Sequence, residues 1–447
     1  MASSCVDDPQ RKRVRHHLDD GAHHRQVDKG VTDCYEEVAN DGIFEDQDGS
    51  LRQSWLLRQR WFSEYQPIHK GTVAERAGEI QSLQRQLIEI KRRLLPAAQN
   101  AAEAYNAYID QMDDLPELSP QEVFQKARRA CNPIEVLGEG RAGGLNNLFV
   151  NRSAIKLANI NASLGFVLTW AADEGSFHFV DLCAAPGGFS EYLFHHCGKC
   201  YPTTASIRGF GMSLMGTNEH GRGTEWKVDN YDSQNMQYRI CTGADGTGDI
   251  YNWDNVMTLA REIDGQAIHA VVCDGGVDAQ RDHEHQEQLA QKLVICQAAA
   301  VLSILGPGGC MVVKLFGCQT DAIRTMLKDL ALRFQDFTLT KPISSRPASA
   351  ERYLVLVGFQ GVSPEFDGRK WRDTIFLGRP IGGPSTDKDE KLESYLDVLD
   401  RDMMLLNIKT CFAILSTMER MVRHFEENEE ACDNQVDIQA YKLAWRL

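Results

Sequence analysis

The residues whose types and spacing carry the most chemistry are Phe179-Val-Asp-Leu-Cys-Ala-Ala-Pro-Gly-Gly-Phe-Ser-Glu191. An apolar run from Phe177 to Cys183 reads as a buried strand. It breaks at Pro186-Gly187-Gly188 and restarts as a helix near Ser190. Strand, glycine turn and helix is the way an α/β sheet presents a nucleotide-sized ligand at its carboxyl edge. Glycine has no Cβ, so a ligand can approach the backbone closely. The turn is not G-x-G-x-x-G and it lacks a Walker lysine, which argues against a dinucleotide pyrophosphate and against ATP.

A strand ending in Asp181-Leu-Cys-Ala-Ala-Pro-Gly-Gly-Phe189 resembles motif I of the FtsJ-like (RrmJ-type) RNA 2'-O-methyltransferases, which use S-adenosyl-L-methionine. The resemblance implies a Lys-Asp-Lys-Glu tetrad delivered by separate segments, and each has a candidate in the right order. Asn151-Arg-Ser-Ala-Ile-Lys156 supplies the first lysine, before motif I. Ala270-Val-Val-Cys-Asp-Gly-Gly276 supplies Asp274, and Gly308-Gly-Cys-Met-Val-Val-Lys314 the second lysine, both at strand ends. Ser345-Arg-Pro-Ala-Ser-Ala-Glu-Arg-Tyr353 supplies Glu351, just before a strand. The implied role of Lys314 is general base. A lysine suits that work only if its pKa falls to roughly 7–8. Lys156 and a cationic sulfonium would push it that way, because like charges disfavour the ammonium. Asp274 and Glu351 would orient the lysines and balance their charge.

The resemblance then narrows. Ala127-Arg-Arg-Ala-Cys-Asn-Pro-Ile-Glu135, Gly209-Phe-Gly-Met212, Gly248-Asp-Ile250 and Lys341-Pro-Ile-Ser-Ser-Arg-Pro347 are similar to the cap-specific mRNA 2'-O-methyltransferases, the cap-1 type in particular. The similarity runs roughly from Glu117 to Gln360. It implies cofactor contacts at Asn151, Cys183, Ala184, Ala185, Pro186, Gly187, Gly188, Phe189, Asp249 and Ile250. The place of the usual ribose-holding acid reads Gly211-Met-Ser-Leu214, a gap the cap family shares. Substrate contacts are implied at Arg128, at Glu284, His285 and Gln286, and at Ser349, which stands where the family has asparagine. Animal cap-1 enzymes continue into guanylyltransferase-like and WW domains, and this chain is not expected to carry either. The expected partner is the 5' end of a capped mRNA, methylated on an early transcribed ribose, rather than DNA or a membrane. Methylation of ribosomal or transfer RNA, and silent binding of capped RNA, are the rival readings.

The expected fold class is α/β: a Rossmann-like methyltransferase with a mostly parallel sheet, helices on both faces, and helical additions at each end. Strands are expected at 177–183, 207–214, 267–273, 309–316 and 352–360, with helices from 190, at 284–305 and at 320–333. That alternation is what builds a sheet covered on both faces. Residues 1–50 lack periodicity and read as a polar disordered tail; 51–115 read as a helical region, 116–365 as the catalytic domain and 366–447 as a helical extension. Val73, Ala77, Ile80, Leu83, Leu87, Ile90 and Leu94 recur at helical spacing, so the sequence predicts a helix over 72–95. Pro96 is expected to stop it, with helical patterning resuming to about Met112. The glycine-rich stretch 137–148 is expected to be a loop. Residues 387–430 are expected to form two or so helices. Leu396, Leu399, Met403, Leu406 and Ile414 make a stripe that must be covered by this chain, a second copy or a protein partner.

Composition sets bounds. The net charge of −15 is unusual for an RNA enzyme and demands that positive charge be local. Lys126, Arg128 and Arg129, and Arg346 and Arg352, are candidate patches. Thirteen cysteines, mostly within apolar strands, suit a reducing compartment. No apolar run is long enough to span a membrane. Arg11-Lys-Arg-Val-Arg15 has the composition of a nuclear localisation signal, so a nuclear enzyme is expected, with the cytoplasm as the alternative. His195-His-Cys-Gly-Lys-Cys200 holds a single C-x2-C, and no metal is expected there.

Overall fold

The computed structural model describes residues 61–66, 72–109, 116–132, 148–201, 206–215, 226–227, 235–263, 265–277, 285–379 and 387–427. The expected tail, the Arg11–Arg15 cluster, Glu284 and nearly all of the 137–148 loop lie outside the described residues. In chain order the elements are α1 (Val73–Ile109), α2 (Pro120–Ala130), α3 (Arg152–Ser163), β1 (Ser176–Leu182), α4 (Gly188–Cys200), β2 (Ser206–Met212), β3 (Met236–Ile240) and α5 (Trp253–Glu262). They continue with β4 (Ala270–Cys273), α6 (Gln286–Ile304), β5 (Cys310–Leu315), α7 (Asp321–Arg333), β6 (Phe334–Thr340), β7 (Arg352–Phe359), α8 (Gly368–Phe376) and α9 (Asp387–Glu427).

Among the described residues, seven strands form one sheet in the order β3-β2-β1-β4-β5-β7-β6. From β3 to β5 the pairing is parallel, and β7 runs antiparallel between β5 and β6. The strand order reverses between β1 and β4, which opens a crevice at their carboxyl ends. Because β7 is antiparallel, its first residues reach the same edge as the last residues of β5: Lys314 lies opposite Tyr353, and Leu315 opposite Arg352. Strand alternation sorts the two faces. Val180, Leu182, Val271, Cys273, Met311, Val313, Leu354 and Leu356 enter one core with residues of α5, α6, α7 and α8. The intervening residues face the other way, where Phe179 meets Phe194 of α4 at 5.2 Å.

Two strands were not legible in advance. β3 is short and mostly exposed, so it offers no apolar run. β6 begins directly after α7 with no turn residue between them, and its Gln335 and Asp336 interrupt the pattern. β6 is an edge strand, and edges need cover. The segment around Phe62 provides it: Ser63 N–H donates to Asp336 Oδ1 at 3.0 Å, and Phe62 stacks on Phe337 at 4.7 Å.

The terminal helices correct two expectations. Pro96 does not stop α1, which runs unbroken to Ile109. The proline forfeits one backbone hydrogen bond, but Ile90, Ala98, Ala101 and Ala102 on either side are buried against Cys411, Ile414, Leu415 and Met418 of α9. That packing keeps the helix continuous where an isolated one would break. Residues 387–427 form one helix rather than two, consistent with their lack of glycine and proline. α1 and α9 lie side by side in the same direction. Arg76 pairs with Asp397 at 2.9 Å, Glu79 with Arg401 at 2.6 Å, and Ile80 and Leu83 pack on Met404 and Ile408.

The first half of α9 is part of the main core. Leu396, Leu399 and Met403 pack with Phe337 and Leu339 of β6, and Arg352 of β7 is ion-paired with Asp400 at 2.5 Å where both are buried. Leu396→Ala is expected to destabilise the protein by about 2–5 kcal/mol in denaturant unfolding, the range for a core leucine. Leu377→Ala, at a position 62% exposed, should stay within about 0.5 kcal/mol of the parent.

Candidate active site

The motif I turn sits at the crevice between β1 and β4. Cys183 adopts a left-handed conformation, φ 58°, which is uncommon for a residue with a Cβ. Its N–H donates to Met212 O at 2.7 Å, and the N–H of Ala184 to the same oxygen at 3.3 Å, so the turn is tied to the end of β2. Gly187 caps α4 with φ 111°. A Cβ on Gly188 would lie 2.0 Å from Asn151 Oδ1. That position therefore has to be glycine for the first turn of α3, capped by Asn151, to pack against the first turn of α4. Asp249 and Ile250 approach from the loop after β3: Gly248 N–H donates to Thr242 O at 2.7 Å, and Asn255 Nδ2 donates to Asp249 O at 3.0 Å. The expected cofactor residues thus come from α3, the β1–α4 turn and the β3–α5 loop.

The four tetrad residues assemble as two linked pairs. Lys156 Nζ lies 2.8 and 2.9 Å from the two carboxylate oxygens of Glu351. Lys314 Nζ lies 3.1 Å from Asp274 Oδ1 and 2.7 Å from the Asp274 carbonyl. All four side chains are largely withdrawn from solvent. Burial alone would raise the pKa of Asp274 and of Glu351, but the two lysines overcome it and hold both below the usual carboxylate range. Lys314 sits under opposing influences. Burial works to lower its pKa, yet Asp274 and Glu351 together raise it above that of free lysine. The two carboxylates thus favour the ammonium form of Lys314.

Supporting residues surround the tetrad, and sequence reading did not single them out. Ser153 Oγ donates to Asp274 Oδ2 at 2.6 Å, and Tyr353 Oη donates to Asp274 Oδ1 at 2.8 Å. Ser153 stands one helical turn before Lys156, and Tyr353 two residues after Glu351, so helix and strand periodicity place each on the face of its neighbour. That periodicity was the available signal. Ser345 Oγ donates to Glu351 Oε1 at 2.9 Å. Lys341 is fully buried and donates to Ser349 O at 2.9 Å, Ser349 Oγ at 3.2 Å and Glu351 O at 2.7 Å. Burial pulls its ammonium down to about 7.

The expected substrate residues are spread around this edge. Arg128 is half-buried on α2. The buried face of that helix, Val123 and Ala127, packs in the cluster that Ala348 joins, so α2 borders the Glu351 loop. His285 is exposed and precedes Gln286, the first residue of α6, at the end of the β4–α6 connection. Ser349 is turned inward: its hydroxyl meets Lys341 and Arg346 O. In the His195–Cys200 segment, His196 and Cys197 are inside the core. Among the described residues, no group of three potential metal ligands is gathered.

One buried atom tests whether the site suits the implied cofactor. Asp181 is fully buried, and burial raises its pKa to about 8 against the hydrogen bonds of Ser190. Its Oδ2 accepts from Ser190 N and Oγ, at 3.0 and 2.8 Å. Its Oδ1 has no partner among the described residues. A buried acceptor without a donor is costly unless a ligand supplies one. A cationic amine such as the one S-adenosylmethionine carries would donate to it and favour its ionised form, so the residues present fit the group.

Comparison with known proteins finds similarity over the stretch that carries these residues. The FtsJ-like methyltransferase family matches residues 149–359. A cap-specific mRNA (nucleoside-2'-O-)-methyltransferase 1 of Drosophila melanogaster is 31% identical over 244 residues, covering 52% of this chain and 29% of that protein. The protein of the same name from Danio rerio is 31% identical over 276 residues, 57% of this chain and 31% of that one. That of Trypanosoma brucei is 34% identical over 194 residues, 43% of this chain and 50% of that one. The matched part spans 29–31% of the length of the two animal relatives and half that of the trypanosome protein. The segment from Phe149 to Phe359, with its motif I turn and its assembled tetrad, is the part of the chain that matches the FtsJ-like methyltransferase family.

Proposed function

We propose that this protein methylates the 2'-oxygen of an early transcribed ribose, the first, at the 5' end of capped mRNA. The observation that carries the reading is the buried Lys156–Glu351 and Lys314–Asp274 cluster at the crevice edge, in a chain whose relatives bear cap-methyltransferase names. Asp181, Asn151, the Cys183–Phe189 turn, Asp249 and Ile250 would hold S-adenosylmethionine. When bound, it supplies an electrophilic methyl group and a positive charge.

Lys314 is the base that takes the hydroxyl proton, and Lys156 orients the hydroxyl. Asp274 is fixed by Ser153 and Tyr353, so it keeps Lys314 aimed and neutralises the proton that Lys314 acquires. Glu351 does the same for Lys156. The raised pKa of Lys314 means that binding has to shift it downward, and added positive charge works in that direction. Arg128, on the bordering helix, would contact the cap phosphates. A nuclear location, carried by Arg11–Arg15, belongs to the same proposal.

Two outcomes test it. Lys314→Ala should reduce label transfer from S-adenosylmethionine by at least about 100-fold, the lower end of general-base contributions. Calorimetry should show cofactor binding nearly unchanged. In the parent, kcat should rise with pH, because a base held as an ammonium works only in its deprotonated fraction. A flat profile together with a loss under about tenfold would remove Lys314 from that role. Arg128→Ala should weaken capped RNA specifically and flatten the salt dependence of binding slightly. Equal methylation of capped and uncapped RNA by the parent would favour ribosomal or transfer RNA as substrate. No label transfer to any RNA would favour a silent binding protein.

A further inference from the structure

We propose that Asn407 of α9 is a positioning residue for this reaction: with Lys341 it fixes the Pro347–Glu351 loop and so sets the Glu351 carboxylate against Lys156. The inference rests on the function proposed above. It assigns a role to a residue outside the 149–359 match.

Asn407 is buried on α9, with Met403, Met404, Ile408, Cys411 and the polar Thr410 buried around it. A leucine there would serve packing as well, and a buried carboxamide is unfavourable unless it is hydrogen-bonded. Its Nδ2 donates to Pro347 O at 2.6 Å and to Ser349 O at 3.2 Å. Both acceptors are in the loop that ends at Glu351. The second is shared, since Lys341 Nζ donates to Ser349 O as well, and to Glu351 O at 2.7 Å. Lys341 comes from the end of β6 and Asn407 from α9, so the loop is gripped from two elements. The Glu351 carboxylate itself is held by Ser345 and Lys156, to which the placed loop presents it. α9 also reaches the helix of Arg128, through Cys131 Sγ and Thr417 Oγ1 at 3.1 Å. One helix therefore sets both the carboxylate side of the site and the arginine beside it.

The test has one arm that needs no turnover and one that does. By NMR, the Glu351 side-chain carboxyl should titrate at higher pH in Asn407→Ala than in the parent, because a carboxylate that moves away from Lys156 loses the charge holding its pKa down. An unchanged Glu351 titration would overturn the proposal whatever the enzyme's activity, and a parent inactive on every RNA bears only on the proposed function. In the active parent, Asn407→Ala should lower kcat by about tenfold to a hundredfold, as misplacement of a site group does. Cofactor affinity should hold. In a Glu351→Gln background the same substitution should change kcat by less than about twofold, since coupled residues are non-additive. An equal loss in both backgrounds would mean a general structural role and overturn the proposal. Asn407→Asp, which keeps the size and removes the donors, should behave like Asn407→Ala. Parental kcat in that variant would also overturn it. The titration midpoint and the kcat change per active molecule do not depend on how much protein folds, so a destabilised variant still separates these outcomes.

Discussion

Two ammonium groups and two carboxylates share a space largely closed to water, and most of the domain is arranged so that this can be so. Moving an ion out of water costs several kcal/mol even after relaxation. The cost is offset only when each charge has an opposite partner and its remaining hydrogen bonds are satisfied. Asp274 meets that requirement with Lys314, Ser153 and Tyr353, which come from β5, α3 and β7. Glu351 meets it with Lys156 and Ser345. The antiparallel β7 is what allows it. A parallel strand there would place its first residues at the opposite edge of the sheet.

The constraint propagates through strand alternation. Glu351 faces the lysines, so the next residue, Arg352, faces away from them and into the core beneath α9. There Asp400 receives it. Asp397 and Glu393, on the same helix, pair with Arg324 of α7, and Asp397 also binds Arg76 of α1. A chain of buried charge thus runs from the site to the terminal helices. The acidic surplus of the sequence is partly spent here: acids of α9 balance arginines from three other elements instead of facing a phosphate backbone.

Much of this was legible in the sequence because the chemistry is local to strand ends. The motif I turn, Asp274, Lys314 and Glu351 each sit where an apolar run stops, and Lys156 sits on a helix with a readable cap. The less legible residues act across long sequence separations. Tyr353 and Ser153 reach Asp274 from opposite sides of it in the chain, and Asn407 looks in sequence like a polar interruption of an apolar stripe. Local propensity alone predicts a stop at Pro96; the partner helix α9, distant in sequence, overrides it. The surroundings of Lys314 are hidden for a related reason: lysine neighbours are visible in a motif, but the closeness of two carboxylates is not.

The parallel pairing of α1 with α9 bears on how the protein is made. Arg76 and Asp397 are 321 positions apart. At ribosomal rates of about 5–20 residues per second, Ile80, Leu83 and Ile90 wait roughly 15–65 seconds for the helix that covers them. During that interval α1 presents a bare apolar stripe, and a lone helix in water has little stability of its own. α9 closes α1 only after it has itself been made, so newborn chains are exposed to misassociation until then. Chaperone demand should therefore be concentrated on α1, although the tetrad lies in segments made between the two helices.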